Sequence, residues 1–242
     1  MTRTMVQKTI NMPVLPAAEK TASGRDPYDG LRFWSAFTHG AGAVFSAAGG
    51  AALLAAAALR GADAQTVTAL SIYTASMVLL YLASCLYHCV NTSVRGRLLL
   101  RKLDHAMIYV LIAGTYTPVC LAVLGGALGW SLFGVVWGLA LLGVLVTLFW
   151  LNAPRKLTTL FYVGMGWIAV LALEPLTAAM SAGALGWMLA GGVAYTIGGA
   201  MYALKWPLRN NAFFGCHEVF HVFIVLGSVC HYLLMYQVVA VL

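Results

Sequence analysis

Polar and apolar positions alternate along this chain by whole segments, not by single residues. Seven long apolar runs occupy about 33–59, 66–90, 103–124, 127–150, 157–178, 183–204 and 213–241. Each reaches the roughly 20 residues that a helix needs to cross the hydrocarbon of a bilayer. Ten-residue stretches with period-two alternation are missing, so a barrel is not expected. The pattern predicts an all-α membrane protein: a seven-transmembrane helix bundle over 32–242, preceded by a polar arm at 1–31. The arm carries Lys8, Lys20 and Arg25 around Pro13, Pro16 and Pro27. No long apolar segment follows its first basic residues, so it is read as a mobile arm and not as a cleavable signal peptide.

Composition agrees. The chain has 242 residues, 62% hydrophobic and 9% charged, with a mean hydropathy of +0.87. A soluble domain carries about 25% charged residues. Membrane lipids are therefore the first partners to expect. Net charge is +7, but the basic residues are not gathered as a nucleic-acid surface requires. Their placement sets the orientation instead. Arg3, Lys8, Lys20, Arg25 and Arg32 precede the first run. Arg95, Arg97, Arg101 and Lys102 lie in the second connection, Arg155 and Lys156 in the fourth, Lys205 and Arg209 in the sixth. Of the 14 basic residues only Arg60 falls on the other side. The N-terminus is expected in the cytoplasm and the C-terminus outside, as in a multi-pass protein of the cell inner (plasma) membrane. The five cysteines lie in or beside apolar runs and read as packed hydrophobes.

Glycines are frequent in the spans. Gly134 and Gly138, and the series Gly186, Gly191, Gly192, Gly198 and Gly199, suit close helix contact within one bundle. Pro118, after Thr115-Tyr116-Thr117, is expected to kink the third helix, and Pro175 lies near the far end of the fifth.

The chemistry gathers at one depth. His217 and His221 are four apart at the start of the last span, so they share a helix face at the spacing that holds one metal ion. Ser84 and His88 share a face at the end of the second span, on the same membrane side. Asp104 and His105 start the third span there, and His39 sits near the start of the first. If helix geometry continues into the loops, His88 is ~10 Å along its axis from Arg95 and His217 ~12 Å from Arg209. One histidine alone reads as a hydrogen-bonded core residue. Three at one depth, His88, His217 and His221, with a fourth position open to water, form the arrangement of a catalytic Zn2+ site. Asp104 is the candidate base toward that water, and Ser84 the candidate for orienting the site or meeting an oxyanion. His105 is turned about 100° from Asp104 and reads as structural. His231 lies ~15 Å deeper than His221 and is left out, as is Cys216, turned about 100° from His217.

His217-Glu218-Val219-Phe220-His221 also matches the zincin pattern, in which the glutamate is the base. Intramembrane proteases with that pattern take a third ligand from a later acidic motif, and no acid follows Glu218. Glu218 is expected at the cytoplasmic rim or paired with a basic loop.

Ser84-x-x-x-His88, then Asp104, then His217-x-x-x-His221, resembles the pattern of the superfamily that contains alkaline ceramidases, progestin and adipoQ receptors, and the bacterial hemolysin III family. Thr38-His39, Leu103-Asp104-His105 and Ala113-Gly114-Thr115-Tyr116-Thr117-Pro118 look most like bacterial hemolysin III proteins. The resemblance covers roughly residues 30 to 240. It implies a seven-helix bundle with zinc on the three histidines, an aspartate-held water and a cytoplasmic site. The chain is expected to differ from the ligand-receptor members in lacking a large N-terminal domain. The expected activity is zinc-dependent hydrolysis of a lipid amide or ester, with a lipid substrate inside the bundle. The alternatives are a non-catalytic membrane sensor or homeostasis protein with structural zinc, and a lytic protein, which the family name alone suggests.

Overall fold

The computed structural model describes residues 31–208, 211 and 213–241. Residues 1–30 of the expected arm at 1–31 and the loop residue Arg209 lie outside them. Among the described residues all regular secondary structure is helical. The chain forms seven segments long and apolar enough to cross a membrane. These are α1 (Phe33–Leu59), α2 (Ala64–Cys89), α3 (Val94–Pro118) with a π-helical extension Val119–Leu124, and α4 (Gly126–Phe149). The fifth segment comprises α5 (Arg155–Gly166), a 3-10 stretch Ile168–Ala172 and α6 (Leu173–Ala179), followed by α7 (Ala182–Leu204) and α8 (Cys216–Ala240). Large apolar side chains such as Phe45, Leu59 and Leu171 stand exposed on the outside, as a lipid-facing surface requires.

Successive spans run antiparallel, so the end of α2 and the starts of α1, α3, α5 and α8 share one end of the bundle. This is the basic end. Contacts across it join Lys102 Nζ to the Leu148 carbonyl at 2.7 Å and Arg155 to the Tyr202 ring at 4.2 Å. At the opposite end Arg60 donates to the Ala240 carbonyl at 2.6 Å. The third span is the most enclosed, with 61% of its apolar window buried, against 17% for the fifth. Helix α3 therefore carries Asp104 into the interior, and the fifth span is a thin wall.

Three boundaries depart from the hydropathy pattern. Helix α3 starts nine residues before the apolar run at 103, because Ser93 caps it by accepting from the Gly96 N–H at 3.2 Å, a favoured use of serine. Its first turns are helical but carry Arg95, Arg97, Arg101 and Lys102, which a hydropathy pattern sets outside the apolar run. After Pro118 the α-helix gives way to a π-helical stretch, Val119–Leu124. Gln65 Nε2 donates to the Leu121 carbonyl within that segment at 2.8 Å. Gly125 and Gly126, both at positive φ (58° and 53°), then reverse the chain, a backbone that only glycine adopts freely.

The fifth span is broken. Pro175 excludes α-geometry around Leu171, four residues upstream, and the chain passes through 3-10 geometry there. Buried in a membrane, the freed backbone groups need partners. The Tyr116 hydroxyl supplies them, donating to the Gly166 carbonyl at 2.7 Å and accepting from the Ala169 N–H at 2.9 Å.

The glycine expectation holds for one group and fails for another. Gly191, Gly198 and Gly199 meet side chains of neighbouring helices closely, whereas a Cβ at Gly134, Gly138, Gly186 or Gly192 would meet nothing within 4 Å. The Gly134–Gly138 pair packs against no described part of the chain.

Candidate metal centre

The last turn of α2 and the first two turns of α8 meet at the basic end. Helix α8 begins at Cys216 because Gly215 takes an extended backbone and Glu218 reaches back to its N–H at 2.7 Å. That start puts His217 and His221 one turn apart on the inward face. His88 (1% exposed), His217 (8%) and His221 (2%) converge. Their donor nitrogens lie within 4.8 Å of one another, and among the described residues this is the group that can hold a metal ion. His88 Nε2 and His217 Nε2 are 3.2 Å apart. Two nitrogens each ~2.05 Å from a tetrahedral ion are separated by about 3.3 Å, so this edge already has the spacing of a ligand pair.

The surroundings fit the same occupant. His221 Nδ1, both ring nitrogens of His39 and Ser84 Oγ are buried without a hydrogen-bond partner in the protein. An orphaned buried polar group costs about 1–3 kcal/mol, and several at one place mark where a ligand sits. His39 is buried, with its ring stacked on His221 at 3.7 Å and 9°. Sequence left His39 between the cavity and the interface; its position is inside.

A cavity of about 130 Å³ opens from this cluster. His39, Ser84, Asp104, His217 and His221 line one end of it. Leu80, Ile108, Ile112, Val163 and Ile224 form an aliphatic middle, and Trp167, Tyr195, Thr196 and His231 the far end. The ten residues from His221 to His231 span ~15 Å of helix. Gly166 and Trp167 at the far end are also exposed on the outer surface, where the broken fifth span separates cavity from lipid.

Asp104 is buried, and its Oδ2 lies 3.9 Å from His105 Nε2. His105 lines the cavity beside it. Cys216 is buried but outside the ligand group. Glu218 is fully engaged elsewhere. Its Oε1 accepts from Arg32 Nε at 2.5 Å and from Ser35 Oγ at 3.1 Å. Its Oε2 accepts from Arg32 Nη2 at 3.0 Å and from the Gly215 N–H at 2.7 Å. It is not among the residues lining the cavity, so the zincin arrangement is not formed. The partner is Arg32, at the start of α1, rather than a basic loop.

Sequence reading missed a second polar cluster at the far end. Tyr81 donates to Ser228 Oγ at 2.7 Å, Tyr195 OH lies 2.9 Å from the same oxygen, and His231 Nδ1 donates to the Gly227 carbonyl at 2.8 Å. Tyrosines in apolar runs look like core residues, and only three-dimensional packing joins their hydroxyls.

Comparison with known proteins fits this architecture. The family model described as haemolysin-III related matches residues 33–232. A Bacillus cereus protein named Hemolysin-3 is 38% identical over 194 residues, covering 80% of this chain and 85% of that protein. A Bacillus subtilis (strain 168) protein named Hemolysin-3 homolog is 37% identical over 195 residues, covering 80% and 87%. With a family match from the first span into the last and relatives of this identity, the chain belongs to the haemolysin III family of multi-pass membrane proteins.

Proposed function

We propose that the protein is a zinc-dependent hydrolase of a lipid amide or ester, with its site in the cytoplasmic leaflet of the cell membrane. The observation that carries this reading is the shared cavity: His217, His221, Asp104 and Ser84 open onto one space whose middle is aliphatic. His88, His217 and His221 hold the ion as neutral imidazoles. A zinc ion so held supplies Lewis acidity toward a carbonyl and toward water. The aliphatic walls hold the acyl chain and exclude water from it. The lipid enters sideways past the broken fifth span. Asp104 accepts the proton that water gives up as its oxygen bonds to the carbonyl carbon. It returns that proton to the nitrogen or oxygen of the leaving group as the acyl bond breaks. Ser84 Oγ, which has no partner in the protein, donates to the oxygen on which charge develops. The basic residues gathered at this end support its cytoplasmic placement.

A membrane sensor in which zinc only ties α2 to α8 is the second reading, favoured by the origin of the three ligands on just those two helices. Asp104, brought to the cavity by a third helix, favours the hydrolase. A structural zinc more often has four protein ligands. The lytic reading rests on the names of the relatives alone. The test is incubation of purified, metal-loaded protein in nanodiscs with a total membrane lipid extract, followed by mass spectrometry of released fatty acid. Release that stops on metal chelation is the expected result. No release from any lipid class above the rate of the Asp104→Asn protein would discard the hydrolase reading.

A further inference from the structure

Arg32 touches both helices that carry the histidines. Its backbone N–H donates to the carbonyl of His88 at 3.0 Å. That carbonyl lies in the last turn of α2, where the helix supplies no partner of its own. Its guanidinium forks onto Glu218, whose neighbour in sequence is His217. Ser35, one turn into α1, adds its hydroxyl to the same carboxylate at 3.1 Å. The ion pair is enclosed, with side-chain exposures of 10% for Arg32 and 2% for Glu218. A bidentate fork fixes angle as well as distance. The two residues are 186 positions apart, so the contact sets tertiary placement.

We propose that Arg32 is a positioning residue for the metal centre: one residue clasps the end of α2 to the start of α8, holding His88 opposite His217 and His221. The proposal rests on the reading that these three histidines bind a metal. The clasp assigns the Glu218 of the His-Glu-x-x-His run a part in fixing ligand geometry, with no part in proton transfer. Partners just behind metal ligands are expected to matter for affinity at the level of about 10–100-fold.

The test uses the full chain, purified and loaded with Co2+, whose visible absorption reports on ligand geometry. The readouts are that absorption band and the rate of metal loss to a chelator. Glu218→Gln keeps an oxygen to accept from the Gly215 N–H, so it spares the helix cap and removes the charge that Arg32 grips. Glu218→Gln and Arg32→Ala are each expected to shift the band and to speed metal loss by about 10–100-fold. Arg32→Lys, which keeps the charge without the fork, should fall between them and the wild type. Wild-type band and rate in both Glu218→Gln and Arg32→Ala, at wild-type helical content, would overturn the clasp while leaving the metal site standing. A wild-type chain that takes up no Co2+ would instead remove the metal reading and the clasp with it. If Arg32→Ala does not fold, Glu218→Gln and Arg32→Lys decide by the same two readouts.

Discussion

Gly227 on α8 is a position where one added methyl group should do harm. A Cβ there would lie 2.3 Å from Tyr195 Cε1 and 2.4 Å from Cδ1. The reverse contact repeats the device, since a Cβ at Gly191 on α7 would lie 2.3 Å from His231 Cε1. Each ring crosses the other helix at a glycine, and the two rings stack at 5.2 Å and 10°. For Gly227→Ala the Tyr195 ring must retreat by about 1 Å to restore carbon contact near 3.5 Å, or the helices must part. Overpacking of this kind costs about 1–3 kcal/mol. The Tyr195–Ser228 hydrogen bond at 2.9 Å goes with it, at about 1 kcal/mol. Alanine returns about 1 kcal/mol of helix propensity. The net is about 1–3 kcal/mol, roughly a fivefold to 150-fold fall in the folded-to-unfolded ratio. Unfolding of the purified protein in mild detergent measures it. Gly134→Ala is the control, because its Cβ would meet nothing within 4 Å and only the propensity gain remains. Gly227→Ala as stable as Gly134→Ala would refute the packing argument.

Purified wild type is expected to carry about one zinc per chain, and His88→Ala, His217→Ala and His221→Ala each to lose most of it by elemental analysis. Full metal in His217→Ala would remove that residue from the site. A reporter in the 91–93 connection should read cytoplasmic and one fused after Leu242 extracytoplasmic; the reverse pattern would place the site in the opposite leaflet.

The spans and the histidine cluster were legible because a bilayer enforces them. A span must be an apolar run, and an imidazole inside one stands out. Helix ends were less legible, because hydropathy follows the edge of the lipid and not the hydrogen-bond ladder. Helix α3 runs out to Ser93, a good cap, well past the apolar edge at 103. The break in the fifth span was half visible. Pro175 was noted, but its effect falls upstream of it, and Tyr116, which fills the gap, lies 50 positions away from its partner Gly166. Glycine spacing misled. Gly134 and Gly138 make a small-residue face that nothing described covers, while a Cβ added at the isolated Gly143 would lie 2.3 Å from the Tyr109 ring and one at Gly114 2.1 Å from Ser76 Oγ. Spacing says that a helix face is small, not that a neighbour lies on it. Arg32 and Glu218 could not be paired from sequence, since only the meeting of the first and last spans brings them together.

Asp104 is where hydrolase and sensor part company. It is buried at the cavity with Ser84, on a helix that supplies none of the three histidines that could hold a metal. Asp104→Asn keeps the shape and removes the capacity to take a proton at neutral pH, so metal content and helicity should stay near wild type. A positioned general base is worth about 10²–10⁴ in rate, and fatty-acid release should fall by that order. A zinc that only joins α2 to α8 would leave whatever phenotype the protein confers almost unchanged by the same substitution. Glu218→Gln gives the opposite pattern. Its carboxylate is spent on Arg32, Ser35 and the Gly215 N–H, so this variant should lose metal faster yet, when zinc is in excess, keep turnover well above that of the Asp104→Asn protein. Under the zincin reading the order reverses, with Glu218→Gln inactive even when fully loaded and Asp104→Asn mild. Both variants must first be shown to reach the membrane at wild-type levels. A metal-loaded Asp104→Asn protein that releases fatty acid at the wild-type rate would remove Asp104 as the base.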